Sequence, residues 1–407
     1  MITLGIETSC DETALALIET RSNTDDHPGT KNADFGVRVI HSLVHSQAEL
    51  HSAYGGVYPT LAKREHSKNL IPLLEKLLRE SAIKTKLTID QTDFILKKQS
   101  LERDYLQQNP DLLQSFANAD FLRHVPCIDR IAVTEGPGLE PTLWVGITFA
   151  RILAGLWDVP VVPVDHMEGH IVGSLLPSDA PYGVWQNLHT VAYPALALLI
   201  SGGHTELIKI GSPGSYEIIG HTKDDAVGEA FDKVARLLGL PYPGGPHLAR
   251  LAEESRNEGI NSVVPLPRPM ITSNDLNFSF SGLKTAVLYA VRKNEINITK
   301  ESELFKKGLA REFEDAVSDV LSAKVSKAIE EIGAQALIIG GGVSANHSIR
   351  QHLTKTALEY GIPIFLPSPH ISGDNALMIA LAGTLHNGTA KTPGEIRAQG
   401  TKRLGSH

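Results

Sequence analysis

Three apolar runs that each break into small or hydroxylic residues constrain this chain most. They are Leu4-Gly5-Ile6-Glu7 before Thr8-Ser9-Cys10-Asp11-Glu12-Thr13, Ala197-Leu198-Leu199-Ile200 before Ser201-Gly202-Gly203-His204-Thr205, and Ala336-Leu337-Ile338-Ile339 before Gly340-Gly341-Gly342-Val343-Ser344. A short apolar run bounded by turn residues reads as a buried strand. Small residues beyond it let a backbone approach an anion and offer it N–H groups. The first two junctions share an order: strand, small residues, then a second apolar strand. That repetition suggests a duplicated domain with a cleft between its halves. Helix-period segments alternate with the strands over most of the length, which makes the class α/β.

The length of 407 residues allows two or more packed units. No apolar run reaches the roughly 18 residues of a membrane span. The first residues, Met1-Ile2-Thr3-Leu4, enter a strand at once, so the reading includes no signal or transit peptide. Two cysteines, Cys10 and Cys127, without a CxxC pair, argue against a disulfide framework and fit a reducing cytoplasm. The net charge of −8 does not announce a nucleic-acid binder; such binding would need a local basic patch or a partner protein. The segment from about 83 to 126 breaks the α/β pattern and reads as a helical insertion, either a partner contact or surface decoration. The polar tail after about residue 390, with Lys402 and Arg403, is expected to fray.

His166-Met167-Glu168-Gly169-His170 follows the strand-like run Val159 to Asp165. Histidines at i and i+4 of a helix share one face, about 5–6 Å apart at Cβ, which suits two imidazoles on one metal ion. A zincin protease puts its general base directly after the first histidine. Here that position is Met167, and Glu168 falls about 200° around the helix from His166. Asp374, in Ser372-Gly373-Asp374-Asn375, reads either as a helix N-cap or as the carboxylate completing a three-ligand site.

Asp225 to Leu238 has the period of an amphipathic helix, with Val227, Ala230, Phe231, Val234 and Leu238 on the core face. Asp232, on the opposite stripe, is a solvated residue or a ribose acceptor. The rigid Pro243-Gly244-Gly245-Pro246 turn after it could let a purine lie against bare backbone. Asn346 reads as a helix start or as a hydrogen-bonding group for an adenosine. Phe278-Ser279-Phe280-Ser281-Gly282-Leu283-Lys284 is a turn into a helix or a substrate-facing wall.

Taken in order, these motifs resemble the TsaD family, the bacterial tRNA threonylcarbamoyladenosine transferases, over most of residues 1–390. The resemblance implies an actin/hexokinase-like (ASKHA) fold, duplicated into two lobes with an active-site cleft between them: lobe I over 1–182, lobe II over 183–371, and a helix from 372–407 returning to lobe I. It implies transfer of a threonylcarbamoyl group from threonylcarbamoyl-AMP to N6 of the adenosine 3′ of the anticodon, in tRNAs reading A-starting codons. His166, His170 and Asp374 would then hold a divalent transition metal, with Fe2+ the first choice and Zn2+ the alternative. Leu199, Ile200, Ser201, Gly202 and Gly203 would line the acyl-adenylate phosphate region, and Asp232, Gly245 and Asn346 would hold its adenosine. Glu12 and His204 are the candidates for proton handling near N6. TsaB and TsaE are the implied protein partners. The chain departs from the family at Glu140-Pro141-Thr142-Leu143, where a Gly-Ser-Leu element is usual, and in the insertion before it. The competing readings are a metalloprotease, against which the displaced Glu168 counts, and a small-molecule kinase of the same fold class. A kinase would use Mg2+ on carboxylates rather than a histidine pair.

Overall fold

The computed structural model describes residues 1–22, 35–107, 109–177, 181–262, 264–293, 300–385 and 390–405. They form two compact units. The first holds Met1–Thr190 and the C-terminal segment from Asp374; the second is Val191–Gly373.

The first unit carries strands β1 (Ile2–Glu7), β2 (Glu12–Ser22), β3 (Phe35–Ser46), β4 (Thr85–Thr88), β5 (His124–Pro126), β6 (Arg130–Gly136), β7 (Val161–Asp165) and β8 (Trp185–Asn187). Six of them make one sheet in the order β7-β6-β1-β2-β3-β8. β1 runs antiparallel to β2, which runs antiparallel to β3, whereas β6 and β7 add in parallel on the other side. Its helices are α1 (Ala48–Ser52), α2 (Pro59–Glu80), α3 (Gln91–Leu101), α4 (Pro110–Ala117), α5 (Glu140–Trp157) and α6 (His166–Gly173). α5 is apolar on nearly every side and is buried along most of its length, the pattern of a helix enclosed in a core. Pro141 sits in its first turn, where no backbone N–H is needed. The insertion region consists of the small β4–β5 ladder with α3 and α4 between its strands.

The second unit carries β9 (Ala195–Ile200), β10 (Thr205–Ser212), β11 (Ser215–His221), β12 (Ala336–Gly340) and β13 (Ile364–Phe365), in the order β11-β10-β9-β12-β13. Its directions repeat those of the first sheet: β10 runs antiparallel to β9 and β11 antiparallel to β10, whereas β12 and β13 add in parallel on the other side. This repeated order is the duplication that the first two junctions suggest. β9 and β12 are buried at every residue, as strands covered on both faces must be. The covering helices are α7 (Val227–Leu237), α8 (Gly244–Asn257), α9 (Ser281–Lys293), α10 (Lys300–Ile332) and α11 (His347–Glu359). Val227, Ala230, Phe231 and Val234 of α7 face the core, with Phe231 edge-on to Phe313 at 5.0 Å.

The last helix, α12 (Ala376–Leu385), belongs to the first unit and packs on β1. Gly5 permits this approach, because a Cβ there would lie 2.2 Å from the Ala376 carbonyl oxygen. The tail expected to fray is anchored where it is described. Ile396 is fully buried, Gln399 N donates to Glu135 O at 2.7 Å, and Lys402 pairs with Glu135 at 2.5 Å. Composition alone cannot reveal that a polar tail has a buried carboxylate waiting for its lysine.

Candidate metal centre and nucleotide pocket

α6 starts directly at the end of β7. Asp165 caps it, its Oδ1 accepting from Met167 N at 2.9 Å and Glu168 N at 3.3 Å. His166 and His170 therefore stand one turn apart, both buried, with ring centroids 4.7 Å apart and planes at 87°. Gly169 and Gly173 let α12 lie close, since a Cβ on either would come within 3.0 Å of Ile379 or Met378 side-chain atoms. At the start of α12 the two readings of the Asp374 region separate. Asn375 takes the N-cap role, its Oδ1 accepting from Met378 N at 3.0 Å. Asp374 is thus free to turn inward. Its Oδ1 lies 3.3 Å from His166 Nε2 and 3.2 Å from His170 Nε2.

These three residues fit a metal. Bonds of about 2.1 Å in tetrahedral geometry put neighbouring ligand atoms about 3.4 Å apart, close to the two histidine–aspartate spacings, and all three ligand atoms lie within 4.8 Å of one another. His170 Nε2 is buried and makes no hydrogen bond, although the Asp374 carboxylate is 3.2 Å away. Two groups that share a metal rather than a proton stand in that relation.

His166 Nδ1, on the far side of the ring, lies 3.1 Å from Glu7 Oε2 and 3.3 Å from Ser9 Oγ. Glu7 ends β1 and is fully buried; it also accepts from Thr134 Oγ1 of β6 at 2.6 Å and from Ser9 N. Burial opposes its charge, but His166 outweighs burial and holds its pKa below the ordinary value. Burial likewise opposes charge on His166, yet Asp374 and Glu7 together raise its pKa well above the histidine range. The raised pKa keeps a proton on Nε2 beside Asp374; a metal would have to displace it, and Nδ1 donating to Glu7 would then leave the Nε2 lone pair for the metal. The sequence reading gave Glu7 no role. The signal available was a carboxylate ending an otherwise apolar strand.

Glu12 belongs to the same unit, at the start of β2. Burial, then the nearby charges of Asp374 and Asp11, push its carboxyl well above the usual range. His204 lies in the second unit, in the β9–β10 turn, where its N donates to Ser201 Oγ at 3.1 Å and its O accepts from Ser201 N at 2.9 Å.

The remaining candidates also belong to the second unit. Leu199 and Ile200 are core residues of β9, with side chains turned into the hydrophobic interior. Just beyond them, Ser201 O accepts from Gly228 N at 3.2 Å, so the first turn of α7 lies on the Ser201-Gly202 loop. Only glycine fits at 228, because a Cβ would sit 2.6 Å from that oxygen. A cavity of about 670 Å3 opens here, with Gly202, Asp232, Gly245, Glu314 and Asn346 on its walls. Asp232 Oδ1 accepts from Gly244 N at 2.7 Å and Gly245 N at 3.1 Å, which fixes the start of α8. Asn346 caps α11, its Oδ1 accepting from Ile349 N at 2.9 Å, and its amide nitrogen donates to Glu314. It is therefore a helix start and a pocket wall at once. Glu314 also accepts from Arg256; neither residue stood out in the sequence. The FSFSGLK segment is a turn into α9, held by Asp224, which accepts from Phe280 N at 2.8 Å and Ser281 Oγ at 2.7 Å.

A duplicated α/β core of this order is that of the actin/hexokinase-like (ASKHA) class, here with a histidine–histidine–aspartate cluster that could hold a metal and a glycine-walled cavity. The particular family follows from comparison. The sequence model of TsaD, tRNA N6-adenosine threonylcarbamoyltransferase, matches residues 38–94 and 114–381. The chain is 40% identical over 388 residues to the tRNA N6-adenosine threonylcarbamoyltransferase of Polynucleobacter necessarius, covering 95% of this chain and 92% of that protein. It is 41% identical over 387 residues to the Burkholderia mallei enzyme of the same name, covering 95% and 92%. The chain belongs to the TsaD family.

Proposed function

We propose that this protein transfers a threonylcarbamoyl group from threonylcarbamoyl-AMP to N6 of the adenosine 3′ of the anticodon in tRNAs reading A-starting codons. The observation that carries the reading is the His166–His170–Asp374 tripod, its histidines buried and its aspartate half-buried, in a chain 40% identical to a named transferase of this kind. In the step, the N6 amine attacks the carbamoyl carbon, the bond from that carbon to the phosphate oxygen breaks, AMP leaves, and N6 loses a proton. The donor is an activated mixed anhydride, so the enzyme needs to orient the partners and stabilise developing negative charge.

His166, His170 and Asp374 would hold the metal, with iron the first choice and zinc the second. A bound metal supplies a Lewis acid for donor oxygens. Glu7 holds His166 in the ligating tautomer. The small Ser201-Gly202-Gly203 turn would let backbone come close to the adenylate phosphate, while Asp232, Gly245 and Asn346 would meet its adenosine. Glu12, beside Asp374, is the proposed acceptor of the N6 proton. His204, at the Ser201 turn, is the second such candidate. TsaB and TsaE are the proposed protein partners, and the cytoplasm is the proposed compartment. Among the described residues no helix is long and apolar enough to cross a membrane. The protease and kinase readings are not favoured, because the named relatives are transferases.

The test is incorporation of labelled threonine into unmodified tRNA. The mixture contains ATP, bicarbonate, an enzyme making threonylcarbamoyl-AMP, and this protein with or without TsaB and TsaE. Label that disappears in His166→Ala and Asp374→Ala is the expected result. No label with folded, metal-loaded protein in any combination would sink the reading.

A further inference from the structure

The family match breaks off between residues 94 and 114. The unmatched segment builds one wall of a cavity of about 400 Å3, through Arg103, Asp104, Tyr105 and Gln107; α5 supplies the other wall, with Trp144 and Arg151, and Lys63 of α2 stands beside it. Arg103 to Tyr105 lie on a π-helical turn, Glu102–Leu106, a distortion often found at functional sites.

Arg151 is the unusual residue here. It is only 9% exposed, yet among the described residues no carboxylate lies within 4 Å of its guanidinium. One nitrogen donates to Ile396 O, and Nε is buried without a hydrogen-bond partner. Tyr105 and Trp144 hold the group, with ring centroids 5.4 Å and 5.3 Å from its central carbon. Ring faces partly replace lost hydration, but they do not neutralise a buried charge. Lys63 and Arg103 likewise have no carboxylate partner among the described residues. Asp104 is the single acid on the cavity wall, which leaves the wall with two net positive charges.

We propose that this cavity is a second ligand site, which binds a small phosphate monoester as its dianion. Arg103, exposed and on the cavity wall, presents a guanidinium, the group that best suits an oxyanion, whereas the unpartnered Nε of Arg151 is sealed from the cavity. Two net charges match a phosphate monoester rather than a single carboxylate. The volume falls in the ordinary range for small ligands. The site is an addition of this chain to the family plan, since its outer wall lies in the unmatched segment.

The experiment is calorimetric titration of the full-length protein with inorganic phosphate and ribose 5-phosphate, against acetate at equal ionic strength. Neither phosphate probe carries adenine, so neither is drawn to the cavity beside Asn346 by a base. Arg103→Gln is exposed and unpaired, so the variant keeps its fold; Arg151→Met is used if thermal unfolding shows it folded. Phosphate binding that weakens tenfold or more in Arg103→Gln, with acetate at least tenfold weaker than phosphate, is the expected result. Absence of phosphate binding at millimolar concentration, equal binding of acetate, or binding that ignores Arg103→Gln each overturns the proposal.

Discussion

Replacing Glu7 by glutamine tests how the metal centre is organised, because the change is isosteric and its consequence can be worked from hydrogen-bond polarity. Both carboxylate oxygens of Glu7 accept. Oε1 takes the Ser9 backbone N–H, and Oε2 takes the Thr134 hydroxyl at 2.6 Å and His166 Nδ1 at 3.1 Å. Glutamine has one acceptor oxygen. The Ser9 N–H cannot reverse its role, so the amide oxygen must face it, and the amide NH2 then faces Thr134 and His166. A hydroxyl can rotate to accept. An imidazole can accept at Nδ1 only by carrying its proton on Nε2, the nitrogen that faces Asp374. The substitution therefore places a proton where the metal must bind.

Loss of such an outer partner costs about 10- to 100-fold in metal affinity, or roughly 1.4–2.7 kcal/mol. The assay is competition with a chromophoric chelator for Zn2+, and for Fe2+ without oxygen, at fixed pH. Far-UV circular dichroism and the metal-free Tm establish that the variant is folded. A folded Glu7→Gln protein whose affinity stays within about twofold of the parent would refute the tautomer argument.

Three other outcomes follow from the same structure. Burial pushes the pKa of His66 from 6.5 down to about 4, so the unfolded chain binds the extra proton between those values. Stability is then lost as pH falls through this window, at about 1.4 kcal/mol per pH unit and roughly 3 kcal/mol in all; urea midpoints across pH 4–7 should flatten in His66→Gln. Gly341→Ala should destabilise by about 2 kcal/mol or more, because φ there is +88° and the new Cβ would sit 2.4 Å from Ile200 O; chemical denaturation reads this directly. Asn346→Asp should keep the cap on α11 but set a carboxylate against Glu314, so adenylate affinity should fall tenfold or more while Tm changes little; a large drop in Tm instead would assign Asn346 to folding alone.

What the sequence made legible is what local pattern can encode. β9 and β12 show as unbroken apolar runs because both faces are buried, and the histidine pair shows because four residues make one helical turn. Asp374 was ambiguous for a physical reason: two adjacent residues could both cap α12, and only the fold reveals that Asn375 does so. Glu7 is 159 residues from the histidine it orients, and no spacing rule spans that distance. The cavity beside Arg151 was hidden for the same reason, since its walls meet only when residues near 103–107 pack on α5.

The placement of the metal centre follows from the sheet rather than from any one motif. Glu7 ends β1, Thr134 lies near the end of β6, and Asp165 ends β7 with His166 immediately after it; these three strands run parallel, with β6 between the other two. The carboxyl ends of parallel strands are where an α/β sheet leaves its loops and helix starts free to hold ligands. The second unit repeats the plan: Ser201 and Gly202 follow β9, and Gly341 and Gly342 follow its parallel neighbour β12. One corner of the duplicated sheet thus carries imidazoles and carboxylates, and its counterpart carries bare backbone. The same strand plan serves two different chemical demands under the proposed function, a metal at one corner and a nucleotide at the other.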